Sequence, residues 1–400
     1  MNAYERGLVR TPVKAAVVVA TTAFLIPVFS SPAIAADEIP VLLGTNTSAA
    51  AAGDVLTDLA VAGGQVYSSY GDYDANTGPV DLNSLSVTTG ALTKQLTVNG
   101  EELKALRVID GKVYAADVDP KAPWTAPVGY ATNAGGSWTY NAATPFQHVF
   151  DIARSGSEIF LAGSVVNPDP ALYGPTPDLA AIKKSSDGGK TWTITKARAS
   201  AGGSSAYDRY YWMAAVGGKV AAIAEVRDAA GNANRLLDVY SGGRWTSIDL
   251  GRLFSLAQRH EPTKYEVLGT KIILSDSNST GYIDLNAKGK TGGVQMSNLP
   301  ASFASRDITV HNGVAYSVGN WFSGTGIDMT KNVVFATRDG VNWTQVATPA
   351  VIPATTYWDH GGGEMIPNYG EYTSIAVDGA TMYLGGDDAK VYRISAPAVP

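Results

Sequence analysis

Short apolar strands separated by glycine-containing turns recur along most of the chain. Each copy has an apolar strand, a turn with a glycine, and a second strand that often carries Tyr or Phe. Seven copies occur, and they read AVAGGQVY at Gly64, VIDGKVY at Gly111, ARSGSEIF at Gly156, AVGGKVA at Gly218, VLGTKII at Gly269, VHNGVAY at Gly313 and VDGATMY at Gly379. A tight hairpin usually needs one residue with positive φ, which glycine adopts without strain. The pattern therefore predicts seven β-hairpins.

The spacing of these hairpins indicates how they are arranged. Successive turn glycines lie 47, 45, 62, 51, 44 and 66 residues apart. Repeats of this length built from short strands are typical of β-propellers, in which each blade is a four-stranded sheet. We therefore predict an all-β, seven-bladed β-propeller, and a set of unrelated hairpins is the alternative.

The C-terminal end of the chain bears on how the ring closes. After Gly379 only 21 residues remain, which suffice for strands at Met382 to Leu384 and Val391 to Ile394 but not for a fourth strand. We predict that Pro40 to Leu43 supplies the missing strand, because closure of the ring removes the open edges of the sheets.

The first 35 residues have the features of a secretory signal peptide. Arg6, Arg10 and Lys14 are followed by an apolar run from Ala15 to Phe29 and by the small-residue cleavage site Ala33-Ile34-Ala35. The alternative is a membrane anchor, but the run has about 15 residues where roughly 20 are needed to span a bilayer. We expect residues 36–400 to form a single secreted propeller domain without stable membrane insertion.

Composition narrows the classes of function. The 400 residues include 30 Lys and Arg, 36 Asp and Glu, four His and no Cys, with a net charge of −6. The acidic balance argues against a nucleic-acid partner, which calls for a basic surface. The lack of cysteine excludes disulfides and thiolate chemistry, and the chain contains no phosphate-binding loop, Gly-x-Ser-x-Gly elbow or His-Glu-x-x-His motif.

A second repeated motif marks another turn of the blades. Residues 186–192 read SDGGKTW, residues 132–138 read TNAGGSW, and looser versions occur at 337–343 and 241–245. These segments resemble the Asp box, or BNR repeat, of sialidase-like propellers, where it lies between the third and fourth strands. The Asp carboxylate can accept backbone N–H groups of its own turn. We therefore expect these Asp residues to be structural and their Trp residues to pack between blades.

Chain position alone predicts one polar face of the ring. The loops before the first strand and after the second strand of each blade open on the same side of the ring. Polar residues in these loops predict a binding or catalytic site, and the alternative is a solvated polar rim without function. Four of the eight Trp fall on this side and not in Asp-box turns, namely Trp124, Trp212, Trp321 and Trp358. We predict as catalytic residues His148, Tyr210, Arg209, Arg306 and Glu371, and as substrate-binding residues Asp72, Tyr73, Asn76, Trp212, Trp321, Trp358, His360 and Tyr372.

These residue types point to carbohydrate chemistry, since aromatic rings stack on sugars and charged groups bind their hydroxyls. A uronate-directed polysaccharide lyase would use His148 with Tyr210 or Tyr211 as base and acid, and Arg209 or Arg306 to neutralise the substrate carboxylate. A glycoside hydrolase would use two carboxylates, for which the candidates are Asp72, Asp117, Asp119, Glu261 and Glu371. Strict sialidase activity is disfavoured, because the Arg-Ile-Pro segment of that family is absent.

We therefore expect a secreted carbohydrate-active enzyme that cleaves a polysaccharide or glycoconjugate at the central mouth of the propeller. The alternative is a non-catalytic propeller that binds a glycan or a protein. The expected partner is a glycan, and the protein should be a monomer. No cofactor and no metal site are predicted; the Asp-rich loops could hold a structural calcium ion, but Asp72-Tyr73-Asp74 lacks the spacing of a calcium loop.

Overall fold

The computed structural model describes residues 37–73, 76–121, 126–143, 146–174, 177–199, 208–228, 233–251, 264–275, 280–286, 294–323, 326–359, 365–397 and 399. The predicted signal peptide, Trp124, Glu261 and His360 lie outside them. Among the described residues, no helix combines the length and apolar character required to cross a membrane.

The described chain is built almost entirely from short strands. It begins with β1 (Asp37–Glu38), β2 (Val41–Thr45) and the helix α1 (Thr47–Ala52). Blade 1 contains β3 (Asp58–Ala62), β4 (Gln65–Ser69), β5 (Val80–Ser86) and β6 (Leu92–Val98), and blade 2 contains β7 (Leu103–Ile109), β8 (Lys112–Asp117), β9 (Gly129–Thr132) and β10 (Thr139–Ala142). Blade 3 contains β11 (His148–Ser155), β12 (Glu158–Val166), β13 (Asp178–Ser185) and β14 (Thr193–Arg198), with the short helix α2 (Pro170–Tyr173) after β12.

The second half of the chain repeats this order. Blade 4 contains β15 (Arg209–Val216), β16 (Lys219–Arg227), β17 (Ala233–Ser241) and β18 (Arg244–Gly251), and blade 5 contains β19 (Lys264–Leu268), β20 (Lys271–Ser275), β21 (Thr280–Asp284) and β22 (Gln295–Met296). Blade 6 contains β23 (Phe303–His311), β24 (Val314–Ser323), β25 (Gly326–Thr337) and β26 (Thr344–Pro349). The hairpin of β27 (Ile352–Asp359) and β28 (Met365–Gly370) precedes blade 7, which contains β29 (Tyr372–Asp378), β30 (Thr381–Gly386) and β31 (Lys390–Ser395).

The seven blades form a closed ring around a central tunnel. The first strand of each blade contacts the first strands of the two neighbouring blades, and β29 of blade 7 returns to β3 of blade 1. Buried apolar side chains fill the spaces between successive sheets, as where Trp212 of blade 4 packs in one cluster with Ile272 of blade 5. The predicted seven-bladed β-propeller is confirmed.

The predicted closure of the ring by an N-terminal strand is also confirmed. Strand β2 pairs antiparallel with β31, with Val41 opposite Arg393, and so becomes the fourth strand of blade 7. The strand covers residues 41–45, against the predicted 40–43. Upstream, β1 pairs parallel with β26 and adds a fifth strand to blade 6. The N-terminal segment therefore lies along the outer edges of two adjacent blades.

The glycine turns are built as the sequence predicts. All seven turn glycines have positive φ, between 57° at Gly379 and 77° at Gly218. Each turn joins the first and second strands of its blade, so these turns lie on one face of the ring. The starts of the first strands and the ends of the second strands lie on the other face, here called the mouth face.

The Asp187 turn lies between the third and fourth strands of blade 3. The Asp187 carboxylate accepts hydrogen bonds from the backbone N–H groups of Lys190 (3.0 Å) and Thr191 (2.9 Å) and from the Thr191 hydroxyl (2.6 Å). These bonds hold the pKa of Asp187 well below its usual range. Trp192 of the same turn contacts Tyr130 of blade 2, with ring centroids 6.3 Å apart. The carboxylate thus fixes its own turn, and the indole packs between blades.

A hairpin between blades 6 and 7 accounts for the 66-residue spacing between Gly313 and Gly379, the longest of the six. Strands β27 and β28 pair antiparallel, with Trp358 opposite Ile366. The segment is therefore a two-stranded insertion between blades 6 and 7 and not an irregular loop. The side chain of Trp358 lies outside the described part of the structure.

Candidate functional site

The mouth face brings together one group of charged residues from blades 2, 3 and 4, which we call the mouth cluster: Glu101, Asp117, Asp119, His148 and Arg209. Glu101 precedes β7, Asp117 and Asp119 lie at and just after the end of β8, and His148 and Arg209 are the first residues of β11 and β15. The backbone N–H of Glu101 donates to the carbonyl of Asp119 at 2.8 Å, which fixes the two loops of blade 2 to each other.

His148 occupies the centre of the mouth cluster. Its Nδ1 lies 2.6 Å from the Ser164 hydroxyl oxygen, and its Nε2 lies 3.0 Å from Asp119 Oδ2 and 3.3 Å from an Arg209 nitrogen. Burial lowers the pKa of His148, with the hydrogen bond to Asp119 acting in the opposite direction. A neutral ring that donates from Nε2 to Asp119 and accepts at Nδ1 from Ser164 satisfies these two contacts, and the Arg209 nitrogen then lies beside Nε2–H without donating to it.

The Ser164, His148 and Asp119 side chains form a chain of hydrogen bonds that superficially resembles a serine-hydrolase triad. Ser164 is only 2% exposed, however, and so offers no accessible nucleophile. The side chains of His148 and Asp119 are 8% and 12% exposed. The most exposed end of this chain is therefore the Asp119 carboxylate, and the Ser164 hydroxyl contacts the opposite side of the imidazole ring.

Aromatic rings support the cluster on the blade 3 and blade 4 side. The His148 ring stacks on the Phe150 ring at a centroid distance of 5.8 Å and an angle of 17°. Tyr211 packs on the Phe150 ring as well, at a centroid distance of 4.8 Å. The Arg209 guanidinium lies over both Phe150 (5.5 Å) and Tyr73 (5.8 Å). Cation–π contacts of this kind hold a guanidinium in place while keeping its charge.

Two carboxyls of the cluster are protonated more readily than usual. Burial raises the pKa of Glu101 to about 7, and the nearby charge of Asp119 adds to this effect. Burial likewise raises the pKa of Asp117 to about 7, and its Oδ2 accepts a 2.5 Å hydrogen bond from the Tyr140 hydroxyl. Groups that titrate near neutral pH beside an opposing carboxylate are what acid–base chemistry requires.

Arg306 and Glu371 lie on blades 6 and 7 and pair with each other. Arg306 Nε is 2.6 Å from Glu371 Oε2, and an Nη2 donates to Glu371 Oε1 at 2.9 Å. Both were predicted as catalytic. The structure joins them in one ion pair and joins His148 with Arg209, so the five predicted catalytic residues do not form a single cluster.

Three further predicted residues are packed inside the ring. Tyr210 was predicted to act beside His148, but its buried hydroxyl lies 2.5 Å from Asp238 Oδ2 at the contact of blades 3 and 4. Neighbouring strand residues point to opposite sides, and it is Tyr211 that reaches Phe150. Trp212, 3% exposed, packs on Tyr265, and Tyr372, 1% exposed, donates to the Ala350 carbonyl at 3.0 Å.

The remaining predicted substrate-binding residues lie partly at the surface and partly in the core. Trp321 lies within β24 and contacts Phe303 and Phe335 edge-on, as part of the packing of blade 6. Asp72 and Asn76 are exposed in the loop after β4, where Tyr73 also lies. Among the predicted substrate-binding residues, Tyr73 contacts the mouth cluster through the cation–π contact of its ring with Arg209.

Glu101 and Ser164 were not among the predicted site residues. Glu101 precedes Glu102 at the start of a first strand, and two adjacent acids at such a position were the available signal. Ser164 carried no signal, because its partnership with His148 depends on the pairing of β11 with β12.

Comparison with known proteins shows similarity of fold and gives no information on function. No family model matches the chain, and no curated protein matches it. A solved chain of a mitotic checkpoint complex is similar with a TM-score of 0.50 at 8% identity, covering 97% of this chain and 100% of that chain. A computationally designed protein, Ika8, has a TM-score of 0.47 at 13% identity, covering 89% of this chain and 99% of its own length. A chain from a structural study of two prolyl endopeptidases has a TM-score of 0.48 at 11% identity, with 88% of this chain and 50% of that chain covered. At these identities the similarity concerns the propeller fold alone.

Proposed function

We propose that the protein is a secreted carbohydrate-active enzyme that hydrolyses a glycosidic bond at the mouth cluster. The observation that carries this proposal is the position of Glu101 beside Asp119. The Glu101 backbone N–H donates to the Asp119 carbonyl at 2.8 Å, the charge of Asp119 adds to the burial that raises the pKa of Glu101 to about 7, and His148 holds the Asp119 carboxylate at 3.0 Å. Glycoside hydrolysis needs one carboxylic acid that is protonated near neutral pH and a second carboxylate that is not. The Asp-box-like turn at Asp187 supports a place among sialidase-like propellers.

In this proposal Glu101 is the general acid. Its proton passes to the oxygen of the departing sugar, while Asp119 accepts a proton from the attacking water or stabilises the positive charge that develops on the sugar ring. His148 is a positioning residue, since its Nε2–H fixes one oxygen of Asp119 and its Nδ1 is fixed by Ser164. Arg209 and Tyr73 provide a cation and an aromatic face beside this pair, which suits the hydroxyls and apolar face of a sugar.

Of the two mechanisms considered from the sequence, glycoside hydrolysis is favoured over polysaccharide lyase chemistry. A lyase base must have a nitrogen that can accept the substrate proton, whereas both ring nitrogens of His148 already face protein partners. The predicted partner Tyr210 is occupied by Asp238. The carboxyl pair of blade 2 therefore suits the chemistry better than the imidazole does.

The test uses the chain from Asp37 onward, incubated with a panel of neutral and acidic polysaccharides. New reducing ends and absorbance near 235 nm are recorded together. We expect reducing ends without absorbance, activity that falls as the pH rises above 7 because Glu101 loses its proton, and a loss of at least about 100-fold in Glu101→Gln. Glu158→Gln, which removes a carboxylate from a surface pair with Lys184, is the matched control.

Other outcomes separate the alternatives. Absorbance near 235 nm that disappears in His148→Ala would overturn hydrolysis in favour of a lyase. Glycan retention on an affinity gel without any cleavage would leave the non-catalytic binding propeller. Unchanged activity in a folded Glu101→Gln protein would remove Glu101 from the mechanism.

A further inference from the structure

Six charged side chains on the first strands of the blades meet in the central tunnel, below the mouth. This tunnel network consists of Asp58, Arg107, Asp151, Lys264, Glu266 and Asp307. It contains four carboxylates and two cations, and it is independent of the proposed catalytic pair.

Contacts within the network cross the axis of the ring. Arg107 of blade 2 donates to Asp151 of the neighbouring blade 3 through two bonds of 2.6 and 2.9 Å, and its third nitrogen lies 3.1 Å from Glu266 Oε2 of blade 5. Blades 2 and 5 are not neighbours in the ring, so this last bond must span the tunnel. The guanidinium therefore ties opposite sides of the propeller together.

Lys264 forms a second tie across the axis. From blade 5 its Nζ donates to the carbonyl of Thr57 at the start of blade 1 at 3.2 Å, and lies 3.7 Å from Asp307 Oδ1 of the adjacent blade 6. Blades 1 and 5 are also not neighbours. The ammonium thus lies between the carboxyl of Asp307 and the strand that carries Asp58.

The two carboxyls nearest to Lys264 are held in place by the backbone. Asp58 Oδ2 accepts the N–H of Leu106 in blade 2 at 2.8 Å, and Asp307 Oδ2 accepts the N–H of Ile375 in blade 7 at 2.9 Å. Each carboxyl therefore links its blade to the next one. Because both are anchored, neither can swing away to relieve repulsion between them.

The electrostatics of this pair favour a bound proton. Asp58 keeps part of its surface open to the tunnel, but the surrounding blades remove most of the bulk solvent, and this loss together with the charge of Asp307 raises the pKa of Asp58 to about 7. Burial raises the pKa of Asp307 as well, against the opposing charge of Lys264. Arg107 acts on Asp58 in the same direction as Lys264, while Glu266 acts against ionisation of Asp307.

Other charges near these strands have their own positions. Lys104 of β7 pairs with Glu102 at 3.3 Å, and the charge of Lys264 also acts on the Glu102 carboxyl. Asp378 of β29 lies at the far end of its strand beside the Thr381 turn. The four carboxylates of the network thus face two cations, and full ionisation would leave an excess of two negative charges in the tunnel.

We propose that the Asp58 and Asp307 carboxyls of the tunnel network together hold one proton, and that this proton is a latch that stabilises the ring on the side of blades 1, 6 and 7. With the proton present, one carboxyl is neutral and the Lys264 ammonium balances the other. Without it, two anchored carboxylates repel each other on β3 and β23, the first strands of the two blades that flank blade 7.

The sign of the pH dependence follows from linkage. A carboxyl whose pKa is raised in the folded state binds a proton there that the unfolded chain releases near pH 4. Its contribution to stability is therefore largest at acid pH and declines as the pH rises from about 4 to about 7. The latch makes the folded ring tighter in mildly acidic than in alkaline solution.

The experiment compares melting temperatures and hydrogen exchange of the wild type, Asp58→Asn and Asp307→Asn between pH 5 and pH 8.5. Asparagine keeps an oxygen for the Leu106 or Ile375 N–H and imitates the protonated carboxyl. We expect the wild type to melt at a lower temperature and exchange faster in β3, β23 and β29 at pH 8.5. Either variant should lose the pH-dependent exchange in these three strands and part of the difference in melting temperature, while the part due to Glu101 and Asp117 remains. Asp151→Asn, which removes a charge from the Arg107 pair, should destabilise at both pH values.

Two results would overturn the latch. One is a wild type whose melting temperature is the same at pH 5 and pH 8.5. The other is a folded Asp58→Asn protein that retains the full pH dependence of the wild type. Carbon-13 titration of the Asp carboxyls gives a direct check, because a shared proton requires one carboxyl of the pair to titrate near neutral pH and the other far below it.

Discussion

Removing the charge of Arg107 should destabilise the propeller more than removing any surface charge. The proposed variant is Arg107→Met, which keeps an unbranched side chain of similar length and deletes the guanidinium. It leaves Asp151, which is 1% exposed, without its two charge-assisted hydrogen bonds, and leaves Glu266 without its partner across the tunnel.

The magnitude follows from the burial of these groups. Removing one partner of a buried ion pair costs about 3–5 kcal/mol, because the other charge stays buried without compensation. The Arg107 side chain retains 21% exposure toward the tunnel, which lets water reduce the loss. We therefore expect a decrease of about 2–4 kcal/mol in the free energy of unfolding at pH 8. The decrease should be smaller at pH 5, where the stranded carboxylates can take up protons.

The assay is urea unfolding followed by tryptophan fluorescence at both pH values, with two-state behaviour checked by circular dichroism. Lys94→Met is the control, since Lys94 forms a surface pair with Asp81 and its side chain is 57% exposed; its effect should stay below about 1 kcal/mol. A loss for Arg107→Met no larger than that of the control, or an equal loss at pH 5 and pH 8, would refute the reasoning.

Two further predictions concern other charged groups. Lys183 is 2% exposed and packs against Phe146, and burial lowers its pKa to about 8. Because folding disfavours the charged form of Lys183, Lys183→Met should raise the free energy of unfolding at pH 7 by about 1–3 kcal/mol, and this gain should vanish by pH 11. Thermal melts across the pH range test this, and Lys183→Arg, which keeps its charge, should remain destabilised at high pH. Because the pKa of Asp187 is lowered in the folded protein, its ionised carboxylate stabilises the fold at pH values above the ordinary pKa of Asp. Asp187→Asn should therefore melt at a lower temperature than the wild type at pH 7, and the difference should shrink as the pH falls below about 4. Equal melting curves at pH 7 would contradict a structural role for this turn.

The architecture was predictable because it depends on a local signal that repeats. Glycine at a position of positive φ marks a hairpin wherever it occurs, and seven such hairpins at similar spacing leave little choice other than a ring of blades. The shortage of strands after Gly379 likewise predicted that β2 completes blade 7, since an open sheet edge is unfavourable in any ring.

The candidate site could be predicted only in part, because local sequence patterns do not show which side chains meet in the folded ring. Chain position placed His148 and Arg209 on the mouth face, but the assignment of Tyr210 required knowing which side of β15 faces the mouth, and a bulge between Tyr210 and Trp212 intervenes there. The tunnel network was harder still to foresee. Arg107 and Glu266 are 159 residues apart, and their contact exists only because closure of the ring places blade 2 opposite blade 5. The sequence by itself determined the repeated blades and their closure, through hairpin geometry and strand pairing. Only the tertiary structure decided which charges meet across the axis, because electrostatic coupling depends on distance and burial and not on separation along the chain.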